Sequence, residues 1–207
     1  MKSRFSREAS ADLLAKALVV ALFTLLSVNL VSAYLQTRRA TGLLLLVSES
    51  LVVVLTVVRR RARIVDRSAT AAIMTAISIV GPSLVRSSDR LAVVPDSVTV
   101  FVSAMGLIVV IAGKVALGRS FGIAPANRGI VVAGPYGFVR HPIYAGYLVT
   151  HLAFACAYPT KWNLVVLIAS DTALVIRALC EERVLAKDRT YQVYCGRVAW
   201  HLVPGVF

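Results

Sequence analysis

The sequence predicts an all-α protein, a polytopic bundle of about six transmembrane helices, and three observations predict it. Of 207 residues, 58% are hydrophobic and 16% charged, against roughly 45–50% and 25% in soluble domains. The mean hydropathy is +0.77. The apolar residues also gather into runs close to the roughly 20 residues that a helix needs to cross a bilayer. An ordinary soluble globule and a disordered chain are both excluded. The net charge of +13, from 23 basic and 10 acidic residues, raises nucleic acid as a partner. Few aromatics and long apolar runs argue against it, so no nucleic acid is expected. The charge is expected to mark one side of a membrane.

The runs follow in order. Residues 1–16 are polar and basic, and the run after them, Ala17 to Leu35, is too long for a leader core, so it reads as a retained first span. Ala40 to Val58 carries one charge, Glu49, and Ser68 to Val85 carries none. Ser97 to Gly113 is uncharged and ends before Lys114. Ile143 to Thr160 is interrupted only by His151, and Trp162 to Ile176 contains Asp171 and can lengthen through the turn holding Arg177. Five spans with a re-entrant hairpin is the alternative count.

The loops assign sides. Basic residues crowd positions 2–16, 59–67, 114–140 and 177–197, which fall on one side if six spans alternate. The other loops hold few, and Asp89 and Asp96 offset Arg86 and Arg90. The positive-inside rule then places both termini in the cytosol, which requires an even count. Cys156, Cys180 and Cys195 form no CxxC pair and no cluster with His, so they read as free thiols with no metal site. Glu49, an acid within a span, is a structural partner or a site member. Asp171 faces the site near Arg177 or pairs with a cation elsewhere.

Two constellations break the run of Leu, Val and Ala. Gly134-Pro135 and Gly137 mark a loop before Arg140-His141-Pro142, and Pro142 suits the first turn of the fifth helix. Tyr144, Tyr147 and His151 recur at helical spacing on one face with Arg140. After the last run, Arg177 and Glu181 are four apart and share a face, with Glu182 beside them. Aromatic and basic residues from Tyr191 to Phe207 suit a segment in the headgroup layer. A short turn at Pro159-Thr160-Lys161 makes the last two spans an antiparallel hairpin. It brings Arg140, His141 and Tyr144 toward Arg177 and Glu181 at one interfacial pocket.

The stretch from Gly134 to Gly146, with its Arg140-His141-Pro142-x-Tyr144-x-Gly146 core, resembles the cofactor motif of the isoprenylcysteine carboxyl methyltransferase and phospholipid methyltransferase superfamily. So do Arg177-x-x-x-Glu181-Glu182 and the ending Tyr191-x-x-Tyr194-x-x-Arg197-Val198 with Leu202-Val203-Pro204-Gly205. The likeness covers roughly 114–207. The resemblance implies S-adenosylmethionine as methyl donor, bound on the cytosolic side and enclosed by an interfacial C-terminal segment. It assigns Arg128, Gly129, Ile130, Val131, Tyr136, Arg140, His141, Pro142, Ile143, Tyr144, Glu181 and Glu182 to cofactor binding. Arg177 and Glu181 are the expected catalytic residues, with Arg177 also binding substrate. It divides the chain into a scaffold, 1–113, and a cofactor-binding hairpin with lid, 114–207. The segment between Glu182 and Tyr191 is shorter than is common in the family.

Chemistry agrees with that assignment. A carboxylate such as Glu181 suits the cofactor's ammonium or ribose hydroxyls, and His141 and the N–H groups at a helix start suit its carboxylate. Tyrosine faces suit the adenine or the sulfonium. The acceptor is expected to be a lipophilic lipid or lipidated molecule entering sideways from the bilayer. A carboxylate acceptor needs only an orienting cation, for which Arg177 suits; an amine needs a base, for which Glu181, Glu182 or His141 would serve. Carboxyl O-methylation is the first expectation and N-methylation the second. Two other readings remain. Sterol-reductase-type enzymes share a similar C-terminal motif and use a nicotinamide, but tend to carry Asn where this chain has Ile143. A non-catalytic transport or assembly protein would use Glu49 and Asp171 as pathway or packing residues, yet no repeat halves support it.

Overall fold

The computed structural model describes residues 40–86 and 92–206, with helical backbone also at Ala17, Ala21, Thr24, Val28 and Val31. Apart from those five positions the first expected span lies outside the described residues. The remaining five expected spans correspond to five helices: α1 (Ala40–Val58), α2 (Ala69–Val80), α3 (Asp96–Leu117), α4 (Pro142–Ala157) and α5 (Lys161–Leu185). A short α6 (Arg189–Arg197) follows. Two two-residue strands, β1 (Ile64–Val65) and β2 (Ala126–Asn127), form one antiparallel ladder. Two of the described helical stretches, Asp96–Ser120 and Lys161–Leu185, are long and apolar enough to cross a membrane.

Local sequence accounts for the boundaries. Each of three helices starts on a side chain that accepts a free N–H of its first turn. Ser68 Oγ accepts from Ala71 N at 3.1 Å, Thr160 Oγ1 from Asn163 N at 3.1 Å, and Asp188 Oδ1 from Thr190 N at 2.9 Å. Pro142 opens α4, where its missing N–H costs nothing. Gly118 ends α3 with φ of 48°, a conformation that a side chain would strain. The 25-residue α5 outruns its 15-residue apolar run because Arg177, Glu181 and Glu182 find polar partners.

The basic loops gather at one end. Ile64 pairs with Asn127 and Val65 with Ala126, and Arg60 N–H donates to Arg119 O at 2.7 Å. Arg63 approaches Asp188 at 3.9 Å, which ties the 59–67 loop to the end of α5. At the opposite end, residues 84–86 pack on the α4–α5 turn. Arg86 N–H donates to Asn163 Oδ1 at 3.0 Å, Asn163 Nδ2 to Arg86 O at 2.9 Å, and Trp162 Nε1 to Leu84 O at 3.0 Å.

The close pairing lies elsewhere than the expected hairpin. Helix α4 packs backbone to backbone on α3: a Cβ at Gly146 would stand 2.6 Å from Gly106 O, and one at Gly106 would stand 2.7 Å from Gly146 O. Small residues allow such approach where both neighbours and lipid are apolar and packing decides association. Helix α5 leans on α2 instead, where Gly81 leaves room for the Ser170 side chain. The two arms of the α4–α5 hairpin thus have separate partners, and a cavity opens between them. The boundary expected at 113 falls within α3, which runs unbroken to Leu117.

Gly146→Ala is expected to lower thermal stability in detergent by about 1–3 kcal/mol, the range for overpacking a tight contact. Gly196→Ala, in α6 with open space around the added methyl, is the control and should leave stability unchanged or slightly raised.

Candidate active site

The turn before α4 and the tail after α5 are fastened by one side chain. Arg140 Nε donates to Val198 O at 2.8 Å and Nη2 to Cys195 O at 3.3 Å, supplying a cation to the carbonyl end of α6. Its Nη1 lies 3.4 Å from Glu182 Oε2. The backbone repeats the attachment: Arg140 N–H donates to Trp200 O at 2.9 Å and His141 N–H to His201 O at 2.8 Å. Glu182 collects these groups, holding His141 Nε2 at 2.9 Å and accepting from the Tyr191 hydroxyl at 2.6 Å.

Glu181, one residue earlier, faces the cavity. It accepts from the Tyr144 hydroxyl, and His141 Nδ1 and Arg177 Nε lie 3.7 and 3.9 Å from it. Arg177 is anchored on three sides. Its Nη1 donates to Ser78 Oγ at 3.4 Å, its Nη2 donates to Ile123 O, and its guanidinium sits 5.1 Å over the Tyr144 ring. The 121–131 loop closes the other wall. Arg128 Nη1 donates to Ala124 O at 3.3 Å while the guanidinium lies against Gly122, where a side chain would collide. Gly129 takes φ of 110°, which glycine alone adopts readily.

The phenols here stay protonated. Burial, then the Glu181 charge, hold Tyr136 well above its ordinary range. Burial and the bond to Glu182 raise Tyr191, and burial pushes Tyr194 up to about 12. Neutral Tyr194 donates to Tyr136 O at 2.7 Å, a second fastening of α6.

The cavity measures about 690 Å³, inside the roughly 300–1,000 Å³ range of small-molecule sites. Arg128, Gly129, Ile130, Val131, Tyr136, Arg140, His141, Ile143, Tyr144, Arg177 and Glu181 all line it. Pro142 and Glu182 do not; Pro142 is buried in the first turn of α4, and Glu182 is enclosed by Arg140, His141 and Tyr191. Sequence reasoning left out Tyr191 and Tyr194 as site members, although both line the wall and their three-residue spacing could have shown it. It also missed Ser78 and the Phe121–Ala124 stretch, whose residues carry no chemical signal.

Deeper in the same cavity, Glu49 and Lys114 form a buried pair at 3.5 Å, with Lys114 Nζ donating to Ser48 O and Oγ at 2.9 and 2.8 Å. Asp171 takes the second of its two expected fates and pairs with a cation-forming group, His151. Among the described residues no group of three His, Cys, Asp or Glu could hold a metal, and all three cysteines are free.

Residues 97–191 match the phospholipid methyltransferase family. That family is part of the integral-membrane methyltransferase superfamily, and the matched segment covers 95 of the 207 residues. The match takes in α3, α4, α5 and the loop that closes the cavity, and it reaches Tyr191 at the start of α6. None of the curated proteins compared with the chain matches it. The family match and the two long apolar helices together support association with a membrane.

Two outcomes test the fastening. Arg140→Lys keeps the charge but cannot span Cys195, Val198 and Glu182, and should cost about 3 kcal/mol in thermal unfolding. His201 gives a pH dependence. Burial lowers its pKa below the ordinary 6.5, so the docked tail binds fewer protons than a released one. Docking is therefore at full strength above pH 6.5 and weakens as pH falls through the folded value. In a Trp162→Phe background, Trp200 emission should shift as pH drops below 6.5, and His201→Gln should flatten that shift.

Proposed function

We propose that this protein transfers a methyl group from S-adenosylmethionine to a lipid acceptor at the cytosolic face of the membrane, with both termini in the cytosol. The observation that carries the reading is one cavity joining a charged, tyrosine-lined end to an apolar space between helices. A water-soluble donor and a lipophilic acceptor need such a junction.

The residues suit the donor. The Glu181 carboxylate is available to an ammonium or to ribose hydroxyls, and the faces of Tyr136, Tyr144, Tyr191 and Tyr194 surround the same space. When bound, S-adenosylmethionine supplies an already activated methyl group. The chain's task is then positioning and exclusion of water. Arg140 and Glu182 hold the α6 lid over the wall, His141 fixes the start of α4 against both acids, and Tyr144 orients the Glu181 carboxylate.

The same contacts revise the expected acceptor. A carboxylate acceptor would need the fork of Arg177, yet Nη1 and Nη2 already donate to Ser78 and Ile123, and Nε faces Glu181. An amine needs a carboxylate to attract its ammonium form and take its proton, and Glu181 stands at the cavity wall. A headgroup amine is therefore the acceptor the geometry suits better. The phospholipid family match agrees with that choice.

Purified protein is expected to bind S-adenosylhomocysteine and to move labelled methyl from S-adenosylmethionine into a membrane lipid extract, giving a base-stable product. Glu181→Gln should lower turnover by about 100-fold or more, whereas Glu182→Gln should chiefly lower stability. A base-labile product would overturn the amine acceptor. Binding of a reduced nicotinamide in place of the methyl donor would overturn the activity.

A further inference from the structure

The loop between α1 and α2 carries charge that the cavity does not use. Positions 59–67 hold Arg59, Arg60, Arg61, Arg63 and Arg67, and no lysine. Orienting helices in a membrane needs basic charge near their ends, which lysine meets as readily as arginine. A row of guanidiniums offers more, because each fork matches two phosphate oxygens at once.

The loop is also held in one place. Arg60 N–H donates to Arg119 O at 2.7 Å, Arg63 N–H to Asn127 O at 2.8 Å and Asp66 N–H to Pro125 O at 3.0 Å. The chain thus lies as a strap along the 119–127 segment, part of which lines the cavity on its other side. Arg60, Arg61, Arg63 and Arg67 are all exposed.

The nearby acids do not cancel this charge. Asp66 turns to the start of α2, accepting from Ser68 N–H at 2.8 Å. Asp188 is held by Asn127 Nδ2 and Thr190 N–H, each at 2.9 Å, and meets Arg63 only at 3.9 Å. Among the described residues no carboxylate forms an ion pair with Arg60, Arg61 or Arg67. Two more exposed cations stand beside the strap, Arg183 in the last turn of α5 and Lys187 just beyond it. The bonds from Ser68, and then the charges of Arg183 and Lys187, hold the Asp66 carboxyl below its ordinary range. The strap is apolar as well as basic: Ile64 and Val65, 37% and 40% exposed, lie between Arg63 and Arg67. A polyanion in water gains nothing from them, whereas the boundary between headgroups and acyl chains takes up both kinds of side chain.

We propose that the strap, with Arg183 and Lys187, binds the phosphates of anionic phospholipids in the leaflet it faces. This makes a second lipid site apart from the cavity, for lipids of net negative charge. It rests on α1 and α2 lying in a membrane and is independent of methyl transfer.

The test offers the full chain in detergent an equimolar mixture of phosphatidylglycerol and phosphatidylcholine with the same acyl chains, and reads retention by native mass spectrometry. The wild-type protein should retain phosphatidylglycerol about tenfold better. That preference should shrink as ammonium acetate is raised from about 0.1 to 1 M, where the screening length falls from about 10 to 3 Å. Replacing Arg61, Arg63 and Arg67 together by Gln should abolish most of the preference and leave S-adenosylhomocysteine affinity, measured by calorimetry, unchanged. Replacing Lys2, Arg4 and Arg7 together by Gln removes the same charge and should keep the preference. Equal retention of the two lipids by the wild-type chain, a preference insensitive to salt, or an equal loss in both triple variants overturns the inference. Displacement of phosphatidylglycerol by an equal concentration of a heparin hexasaccharide would assign the strap to an aqueous partner and overturn it too.

Discussion

The guanidinium of Arg140 is the interaction on which the rest of the site depends. It stands where three parts of the chain meet: the turn into α4, the end of α5 through Glu182, and the carbonyl end of α6. It touches two backbone carbonyls, a carboxylate and the His201 ring, whose Nε2 lies 3.2 Å away, so the contacts are cooperative. With Arg140 in place, Glu182 is neutralised and can hold His141 and Tyr191. With those held, Glu181 is left as the acid turned toward the cavity. Adjacent glutamates on one helix thereby acquire different tasks through what surrounds them.

Low dielectric explains the economy of the charged residues. Unpaired charges at this depth are costly, and the acids of α1 and α5 are each matched: Glu49 with Lys114, Asp171 with His151, Glu181 with Tyr144, His141 and Arg177, and Glu182 with Arg140 and His141. Pairing lets α5 stay helical through Leu185 although its last third is rich in charge. It also fixes side-chain directions, because a carboxylate held by two or three donors has little freedom to turn.

Much of this was legible in the sequence, for reasons that differ by residue. Hydropathy marked α1 to α5, because burial in an apolar medium requires unbroken runs. The spacing of Tyr147 and His151 from Tyr144, and of Glu181 from Arg177, placed those side chains on one face, because helical geometry is local; Arg140 lies in the turn before α4, outside that periodicity. Local rules do not reach contacts between distant segments. Nothing in the sequence around Glu182 distinguishes it from Glu181; its enclosure depends on Tyr191 and Arg140 arriving from elsewhere. Gly106 and Gly146 each read as an ordinary apolar-span glycine until α3 and α4 are placed together. The hairpin expected from the short turn at 159–161 does bring the two constellations together, but the bulk packing of its arms is with α3 and α2. The bond from Arg177 to Ile123 fills part of the guanidinium's capacity, and this lowered the case for a carboxylate acceptor.

The seat of Arg177 has a consequence for inheritance. Its guanidinium rests on Ser78, contributed by α2, and α5 beside it fits against Gly81. Both lie upstream of the stretch that carries the family likeness. The front part of the chain therefore supplies a wall of the cavity. A chimera that kept 97–191 and took its leading helices from a distant relative would inherit the recognisable motif but lose the matching hydroxyl and the gap for α5. Lineages of such enzymes should be constrained to change these positions in step with the residues they face, so that divergence in the leading helices carries information about what the chamber holds.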